Sequence, residues 1–333
     1  MTTVLESLNS GLHAAMADER VYLIGEDLLD PYGGAFKVAM GLSTQYPSRV
    51  LTSPISEAGI VGLAGGMALR GLRPVVEIMF GDFITLAADQ LINSLSKFRW
   101  MYNETVEVPV VVRAPMGGRR GYGPTHSQTL EKIYLGVPGL RVIAPTSIGD
   151  PGELLKQAIL ADNSPTLFIE NKLQYLQILD PDDLQEFDIS VQESENSYTP
   201  GYLMSLQDAP PPILTIVTYG YMTNMVIESA KRLAYENEIF TEIVILTQLS
   251  PFELFPVTKS VLQTQNLLVV EEGTLTHGWG AEVIARIQED LGVGLKNVRR
   301  VAAKDLPIPA SIPLENEVLP NIQEIMQKAQ KMV

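Results

Sequence analysis

RVLTSPISEAGIVGLAGGMALRGLRPVVEIMF, residues 49–80, decides the fold. Its two ends, RVLTSPI (49–55) and PVVEIMF (74–80), are short, β-branched and mostly apolar, the pattern of parallel strands covered on both faces. Residues 56–70 between them read as a helix. Gly59, Gly62, Gly65, Gly66 and the following Gly71 lower its propensity but permit close backbone packing. Strand, helix and strand in this order make a βαβ unit. The alternation continues on both sides, with strands expected at VYLIGED (21–27), VPVVVRAP (108–115), LRVIAP (140–145) and TLFIE (166–170). Helices are expected near 82–98 and 149–161, and Val4, Leu5, Leu8, Leu12 and Met16 recur at the spacing of an amphipathic first helix. The fold class is α/β with a mainly parallel sheet.

The second half repeats the pattern on a smaller scale. ILTIVTYG (213–220), TEIVILTQ (241–248), NLLVVEEG (266–273) and NVRRVAAKD (297–305) read as strands, with helices near 221–237, 256–264 and 279–291. From Leu173 to Ala230 there are nine acids and no Lys or Arg, and Pro200 and Pro210–Pro212 punctuate the stretch. A one-sign charge block with prolines predicts an extended connector. The expected organisation is therefore a first domain over 1–190, an acidic, proline-containing linker over 191–212 and a smaller α/β domain over 213–333.

Composition narrows the function. A length of 333 residues suits two domains of roughly 150 each. With 46% hydrophobic and 19% charged residues the chain is globular, leaving little room for extended disorder. Twenty-four basic against thirty-nine acidic residues give a net charge of -15, which repels phosphate backbones and argues against nucleic-acid binding. Zero cysteines exclude disulfides, thiolate zinc sites, iron–sulfur clusters and cysteine nucleophiles. No apolar run reaches the roughly 18–20 residues of a membrane span. The opening residues carry acids and no basic residue before Arg20, unlike a secretory signal or an arginine-rich transit peptide. The expectation is a soluble protein of the cytoplasm or an equivalent compartment.

Common nucleotide, metalloprotease, hydrolase and calcium motifs are absent. HGWGAEV (277–283) holds a GxG before a helix but lacks a complete dinucleotide fingerprint, so Gly278 and Gly280 read as letting the helix start tightly against the sheet. Of three histidines, His13 belongs to the first helix and His277 reads as a contact residue. His126 follows the glycine-rich run MGGRRGYGPT and precedes SQTLEKIYL. Such loops at strand ends hold ligands in α/β proteins, and an imidazole titrates near neutrality. Glu57, just past an apolar strand, reads either as a first-turn helix residue facing the positive dipole end or as a site carboxylate.

PISEAGIVGLAGGMALRGLRPVVEIMFGDF (54–83), THSQTLE (125–131), PGLRVIAP (138–145), VTYG (217–220), VVEEG (269–273), GWGAEV (278–283) and DLPIPASIPLENEVLPNIQEIM (305–326) stand in this order along nearly the whole chain. Together they resemble the β-subunit of the thiamine-diphosphate-dependent decarboxylating component of 2-oxo-acid dehydrogenase complexes, pyruvate dehydrogenase type. The resemblance implies a pyrimidine-binding domain followed by a transketolase-like C-terminal domain, assembled with α-subunits as an α2β2 heterotetramer. It also implies that the β-subunit holds the aminopyrimidine ring of thiamine diphosphate while the α-subunit holds the diphosphate through magnesium. The motif for that second half begins GDG and ends in paired asparagines. The nearest match here is Gly81-Asp82 followed by Phe83, without the asparagines, so this chain carries half an active site.

By the same resemblance, Glu57 matches the glutamate that hydrogen-bonds a pyrimidine ring nitrogen and drives the amino group toward its imino form, the base that deprotonates the thiazolium. Phe83 matches the aromatic that stacks on the pyrimidine, and Ile55 the apolar residue that bends the cofactor. Glu26 matches an acid near the pocket. His126 matches the histidine that lines the substrate channel and assists the 2-oxo acid or acyl transfer to lipoyl sulfur. Backbone carbonyls of Val110, Ala158, Ala161 and Asn163 correspond to a potassium-binding loop of some members.

Some residues depart from the family pattern. Arg119 and Arg120 are not general to it; arginine forks suit a carboxylate or phosphate, and a solvated or subunit-facing pair is the other reading. Leu86 replaces a polar residue of some pyruvate-specific members, and GYLMSLQDAPPP (201–212) lacks the basic, glycine-containing approach to VTYG that many members of the family show. The leading expectation is oxidative decarboxylation of a 2-oxo acid, with pyruvate first, and transfer of the acyl unit to a lipoyl acyltransferase core. An acetoin- or branched-chain-type β-subunit, a split transketolase-like carboligase subunit and a catalytically silent assembly paralogue stay open beside it. The acidic balance further predicts a basic docking partner.

Overall fold

The computed structural model describes residues 2–179, 184–194 and 197–333, and divides the chain into two compact units. The first comprises 1–117, 133–145 and 149–179; the second comprises 118–132, 146–148 and 180–333.

In the first unit, six parallel strands lie in the order β5-β6-β4-β3-β1-β2. They are β1 (Val21–Gly25), β2 (Val50–Thr52), β3 (Arg73–Glu77), β4 (Val111–Met116), β5 (Arg141–Ile143) and β6 (Thr166–Asn171). All residues of β3 and β4 are buried, which is why these segments read as mostly apolar runs. The helices include α1 (Val4–Ala15), the short α2 (Leu42–Gln45), α3 (Glu57–Ala68), α4 (Ser96–Met101) and α5 (Pro151–Leu160). A capping box between Thr3 and Glu6 starts α1, and Asp150 caps α5 through the amides of Gly152 and Glu153. The helix expected over 82–98 is three pieces: a 3-10 turn at Gly81–Ala87, a π-helical stretch at Gln90–Leu95, and α4. Ser96 Oγ donates to the carbonyl of Ile92 at 2.7 Å, a back-bond of the kind that bends helices.

In the second unit the sheet order is β13-β12-β9-β10-β8-β7. These strands are β7 (Phe187–Ser194), β8 (Ser197–Leu206), β9 (Leu214–Thr218), β10 (Thr241–Leu246), β12 (Asn266–Thr274) and β13 (Asn297–Ala303); β11 (Gln248–Ser250) is a short strand after β10. β9, β10, β12 and β13 are parallel, whereas β8 runs antiparallel to β10 and to β7. Helices α6 (Met222–Asn237), α7 (Phe255–Thr264), α8 (Trp279–Leu291), α9 (Ile312–Val318) and α10 (Ile322–Gln330) complete it. Its core joins Met204, Ile216, Ile243, Leu268 and Val301 of the sheet to Val226 and Leu233 of α6 and Ile325 of α10.

The linker expected over 191–212 takes a different form. Phe187–Ser194 and Ser197–Leu206 pair as an antiparallel hairpin on the second sheet, so the units divide after residue 179, and 118–132 joins the second unit. Tyr202, Leu203 and Met204 are buried there, and that burial outweighs the local signal of acids and Pro200. Among the described residues of that stretch, 207–213, with Pro210–Pro212, connects β8 to β9 as a loop. Asp180, Asp182, Asp183 and Glu195 of the acidic stretch lie outside the described residues.

The packing of α1 on α5 depends on two glycines. Ser7 Oγ donates to Asp150 Oδ1 at 2.7 Å and accepts from the Gly152 amide at 2.8 Å, drawing the backbones together. A Cβ on Gly11 would stand 2.2 Å from the Gly152 carbonyl oxygen. Gly11→Ala should therefore destabilise the protein by about 1–3 kcal/mol in urea unfolding. Gly66→Ala, whose Cβ meets nothing within 4 Å on α3, should instead stabilise by about 0.5–1 kcal/mol.

Candidate active site

Three neighbouring strands of the first sheet, in the order β3-β1-β2, end at the same edge, and each delivers a predicted residue. Glu26 follows β1, Ile55 and Glu57 follow β2 with Glu57 opening α3, and Phe83 follows β3 in the turn Gly81–Ala87. Carboxyl ends of parallel strands are where open α/β sheets bind ligands, because short loops there project side chains from a rigid frame. That 3-10 turn packs beside α3.

Glu26 and Glu57 are brought together. Both are buried, at 9% and 6% exposure. Burial raises the pKa of Glu26 first, the adjacent Glu57 charge raises it further, and the Ser56 amide opposes by donating to the carboxylate. Glu26 Oε1 is buried without a hydrogen-bond partner among the described residues. An acceptor kept from water without a donor is costly, so the site fits a ligand that brings an N–H or O–H. Ile55 is 81% exposed, an apolar side chain presented rather than packed. Phe83 is half-buried, edge-on to Phe80 with centroids 5.7 Å apart, and Phe80 is likewise edge-on to Phe36 at 5.5 Å. A carboxyl pair, an exposed aliphatic group and an aromatic cluster suit a flat heterocycle with a protonatable nitrogen, the pyrimidine half of thiamine diphosphate.

A buried ion group spans the central strands. The Arg113 guanidinium donates to Glu77 at 2.5 Å and to both oxygens of Glu170 at 2.7 and 2.6 Å, and the Tyr175 hydroxyl donates to Glu170 at 2.6 Å. The two carboxylates hold Arg113 firmly protonated, against burial, the largest single influence. The sequence reading missed this group, although its signal is present: PVVEIMF, VPVVVRAP and TLFIE each carry one charge inside an apolar strand, and such charges need partners when buried.

His126 belongs to the second unit and Glu57 to the first. His126 is half-buried, with Nδ1 3.0 Å from Thr125 Oγ1. Upstream in the same loop, Arg119 donates through Nη2 to the Pro320 carbonyl at 2.6 Å and lies over the Tyr221 ring at 5.9 Å. Arg120 is exposed and stacks over Tyr122 at 5.5 Å. The loop's end is fixed by Glu131, which accepts from the Tyr219 hydroxyl at 2.6 Å, and by Lys132, which donates to Thr274 and to the Thr276 carbonyl. Gly278 and Gly280 do let α8 start tightly: a Cβ on either would fall within 2.6 and 2.8 Å of Glu271 Oε1.

At the predicted cation loop, the carbonyls of Val110 and Asn163 each accept one amide, from Thr166 at 2.8 Å and Val108 at 3.0 Å, leaving each a second lone pair. Ala158 lies in α5 and Ala161 caps its end, where helical carbonyls lack successors. The chain supplies a cation of its own here. Arg73 Nη1 donates to the carbonyls of Ile159 and Asp162 at 2.8 and 2.9 Å, and Nη2 to Asn163 Oδ1 at 2.5 Å. Among the described residues, no grouping of three or more His, Cys, Asp or Glu could hold a metal ion, and no helix is long and apolar enough to cross a membrane.

Residues 6–177 match the family described as "Transketolase, pyrimidine binding domain", and 206–325 match "Transketolase, C-terminal domain". The chain is similar to the Arabidopsis thaliana "Pyruvate dehydrogenase E1 component subunit beta-1, mitochondrial", 36% identical over 332 residues covering 99% of this chain and 88% of that protein. It is 33% identical over 333 residues to the Rickettsia bellii "Pyruvate dehydrogenase E1 component subunit beta", covering 99% and 98%. Among solved structures, one titled "Split gene transketolase, inactive beta4 tetramer" superimposes with a TM-score of 0.75 at 18% identity, covering 99% of this chain and 97% of that one, which shows a shared fold.

Glu271, behind the start of α8, gives a pH test. Burial and the neighbouring Glu131 charge push its pKa from 4.5 up to about 8, against amide donors at Gly280 and Trp279 and the charge of Arg300. The folded protein thus keeps a proton that the unfolded chain releases near 4.5, and stability from this group is lost as pH rises toward 8. Glu271→Gln should flatten the fall in unfolding free energy between about pH 5 and 8. An unchanged slope would show that Glu271 ionises normally in the folded state.

Proposed function

Because the chain belongs to the family of pyruvate dehydrogenase E1 β-subunits, built from transketolase pyrimidine-binding and C-terminal domains, we propose that it activates thiamine diphosphate for oxidative decarboxylation of pyruvate, working with an α-subunit. The acyl unit passes to a lipoyl domain of an acyltransferase core, and the assembly is an α2β2 heterotetramer. One observation carries the reading: buried Glu57 lies beside buried Glu26, whose Oε1 lacks a donor, at the carboxyl edge of a parallel sheet.

When bound, thiamine diphosphate supplies a thiazolium carbon acidic enough to become a nucleophile toward a 2-oxo acid. This chain's residues orient it and hold a proton. Glu57 presents a carboxyl to a pyrimidine ring nitrogen and shares a proton with it. Glu26, with its pKa raised, takes a hydrogen bond from the ring's exocyclic amine through Oε1. Phe83 covers one face of the ring, and Ile55 limits the conformations that the second ring can take. His126 serves the substrate and acyl-transfer stage.

Magnesium is assigned to the α-subunit, since this chain has no paired asparagines after Gly81-Asp82. Potassium on the carbonyls of Val110, Ala158, Ala161 and Asn163 would supplement the Arg73 guanidinium. Trp100, Met101, Leu86 and Leu63 are exposed on the first unit, and apolar groups of this size fit an obligate subunit interface. Arg119, held by Pro320 and Tyr221, is better suited to shaping its loop than to substrate recognition.

The test uses the enzyme assembled with its α-partner. Glu57→Gln keeps the shape of the side chain but cannot share a carboxyl proton. Cofactor affinity should stay within a few-fold, while pyruvate-dependent acetylation of a lipoyl domain should fall about a hundredfold or more. Near-normal turnover would remove Glu57 from its role. Acetylation from branched-chain 2-oxo acids but not from pyruvate would reassign the substrate, and carboligation without lipoyl acylation would favour the carboligase reading.

A further inference from the structure

The loop that carries His126 has a shape it would not adopt alone. Arg119, Gly121 and Gly123 take φ of 69, 67 and 78°, the left-handed region that side-chain-bearing residues such as Arg119 disfavour. Backbone turning of this kind directs amides toward one side and forms a concave donor surface. Glu315, from α9 near the far end of the chain, fills it. Its Oε1 accepts the Arg119 amide at 2.7 Å and its Oε2 the Gly121 amide at 3.0 Å. Glu315 has no exposed surface, so removing these donors would leave a charge buried without compensation.

The carboxylate is itself held in place. The Glu315 amide donates to the Ser311 carbonyl at 2.8 Å, and the flanking Val318 and Leu319 pack with Ala303 and Ile308. Arg119 Nη2 closes the contact from the loop side on Pro320. Glu272 Oε1 anchors the start of the loop by accepting the Gly118 amide at 2.9 Å.

We infer that Glu315 is a positioning residue: its carboxylate sets the loop conformation that presents His126, acting through the backbone amides of Arg119 and Gly121 without touching substrate. This rests on the reading of His126 as the residue that serves the substrate and acyl-transfer stage.

The test again uses the enzyme assembled with its α-partner and compares Glu315→Gln, His126→Ala and the double variant. Glu315→Gln retains one acceptor but turns an amide donor toward the other N–H. Hydrogen exchange at Arg119 and Gly121 should accelerate about ten- to a hundredfold. The kcat for lipoyl-domain acetylation should fall by about tenfold or more, with thiamine diphosphate affinity unchanged. In the His126→Ala background, Glu315→Gln should cost little further, because both changes remove the same function. Should Glu315→Gln fail to assemble, Gly121→Ala perturbs the clasp from the loop side: its Cβ, at φ 67°, would stand 3.1 Å from the Ala310 carbonyl oxygen. It should give the same faster exchange and the same lack of additivity. Unaltered exchange, or rate losses that multiply fully in the double variant, would overturn the inference. A wild-type rate for His126→Ala would instead sink the role given to His126, and exchange alone would then decide whether Glu315 shapes the loop.

Discussion

The Arg113 guanidinium, buried between Glu77 and Glu170, is the interaction on which the first unit depends. A parallel sheet with both faces covered offers no water to a charge, so a cation inside it must be matched in place. Arg113 sits on β4 with β3 and β6 on either side, directly opposite Glu77 and two residues short of the register of Glu170, and its bonds tie the three strands together. Glu77 and Glu170 stand near the carboxyl ends of their strands, next to the edge where Glu26, Glu57 and Phe83 gather. A site built on this edge inherits its rigidity. Fixed side chains are what a cofactor needs when the protein's contribution is orientation and a tuned proton.

Buried carboxyls in the two units meet different partners. In the second, Glu272 and Glu315 accept backbone amides, and Glu131 accepts the Tyr219 hydroxyl; these carboxylates shape loops. In the first, Glu77 and Glu170 hold Arg113, while Glu57 lies near enough to Glu26 for its charge to raise the Glu26 pKa. Buried carboxylate oxygens without a partner among the described residues occur in both units, on Glu26 in the first and on Glu131 and Glu271 in the second.

Much of the fold was legible because parallel strands are covered on both faces and so appear as mostly apolar runs. The strand at 266–273 and the helix at 279–291 were placed to within a residue. The hairpin of β7 and β8 was not, because acids and Pro200 imitate a connector while the apolar run around Tyr202–Met204 is brief. The helix over 82–98 was seen as one element because its apolar spacing does not record the change from 3-10 to π to α hydrogen bonding. Glu26, Ile55, Glu57, Phe83 and His126 were proposed from a resemblance of ordered motifs. Arg73 was not connected with the cation loop, since it comes from a strand far from that loop in sequence.

By itself, the sequence determined the alternation of strands and helices, the class of sheet and the family to which the chain belongs. These follow from periodicity and from chemistry carried by single residues, which are local properties. The tertiary structure alone decided which charges meet: Glu26 with Glu57, Arg113 with Glu77 and Glu170, Arg73 with the end of α5, and Glu315 with the loop of His126. Each pairing joins residues from separate elements, and the energy of a buried charge depends on distances that only the folded chain defines.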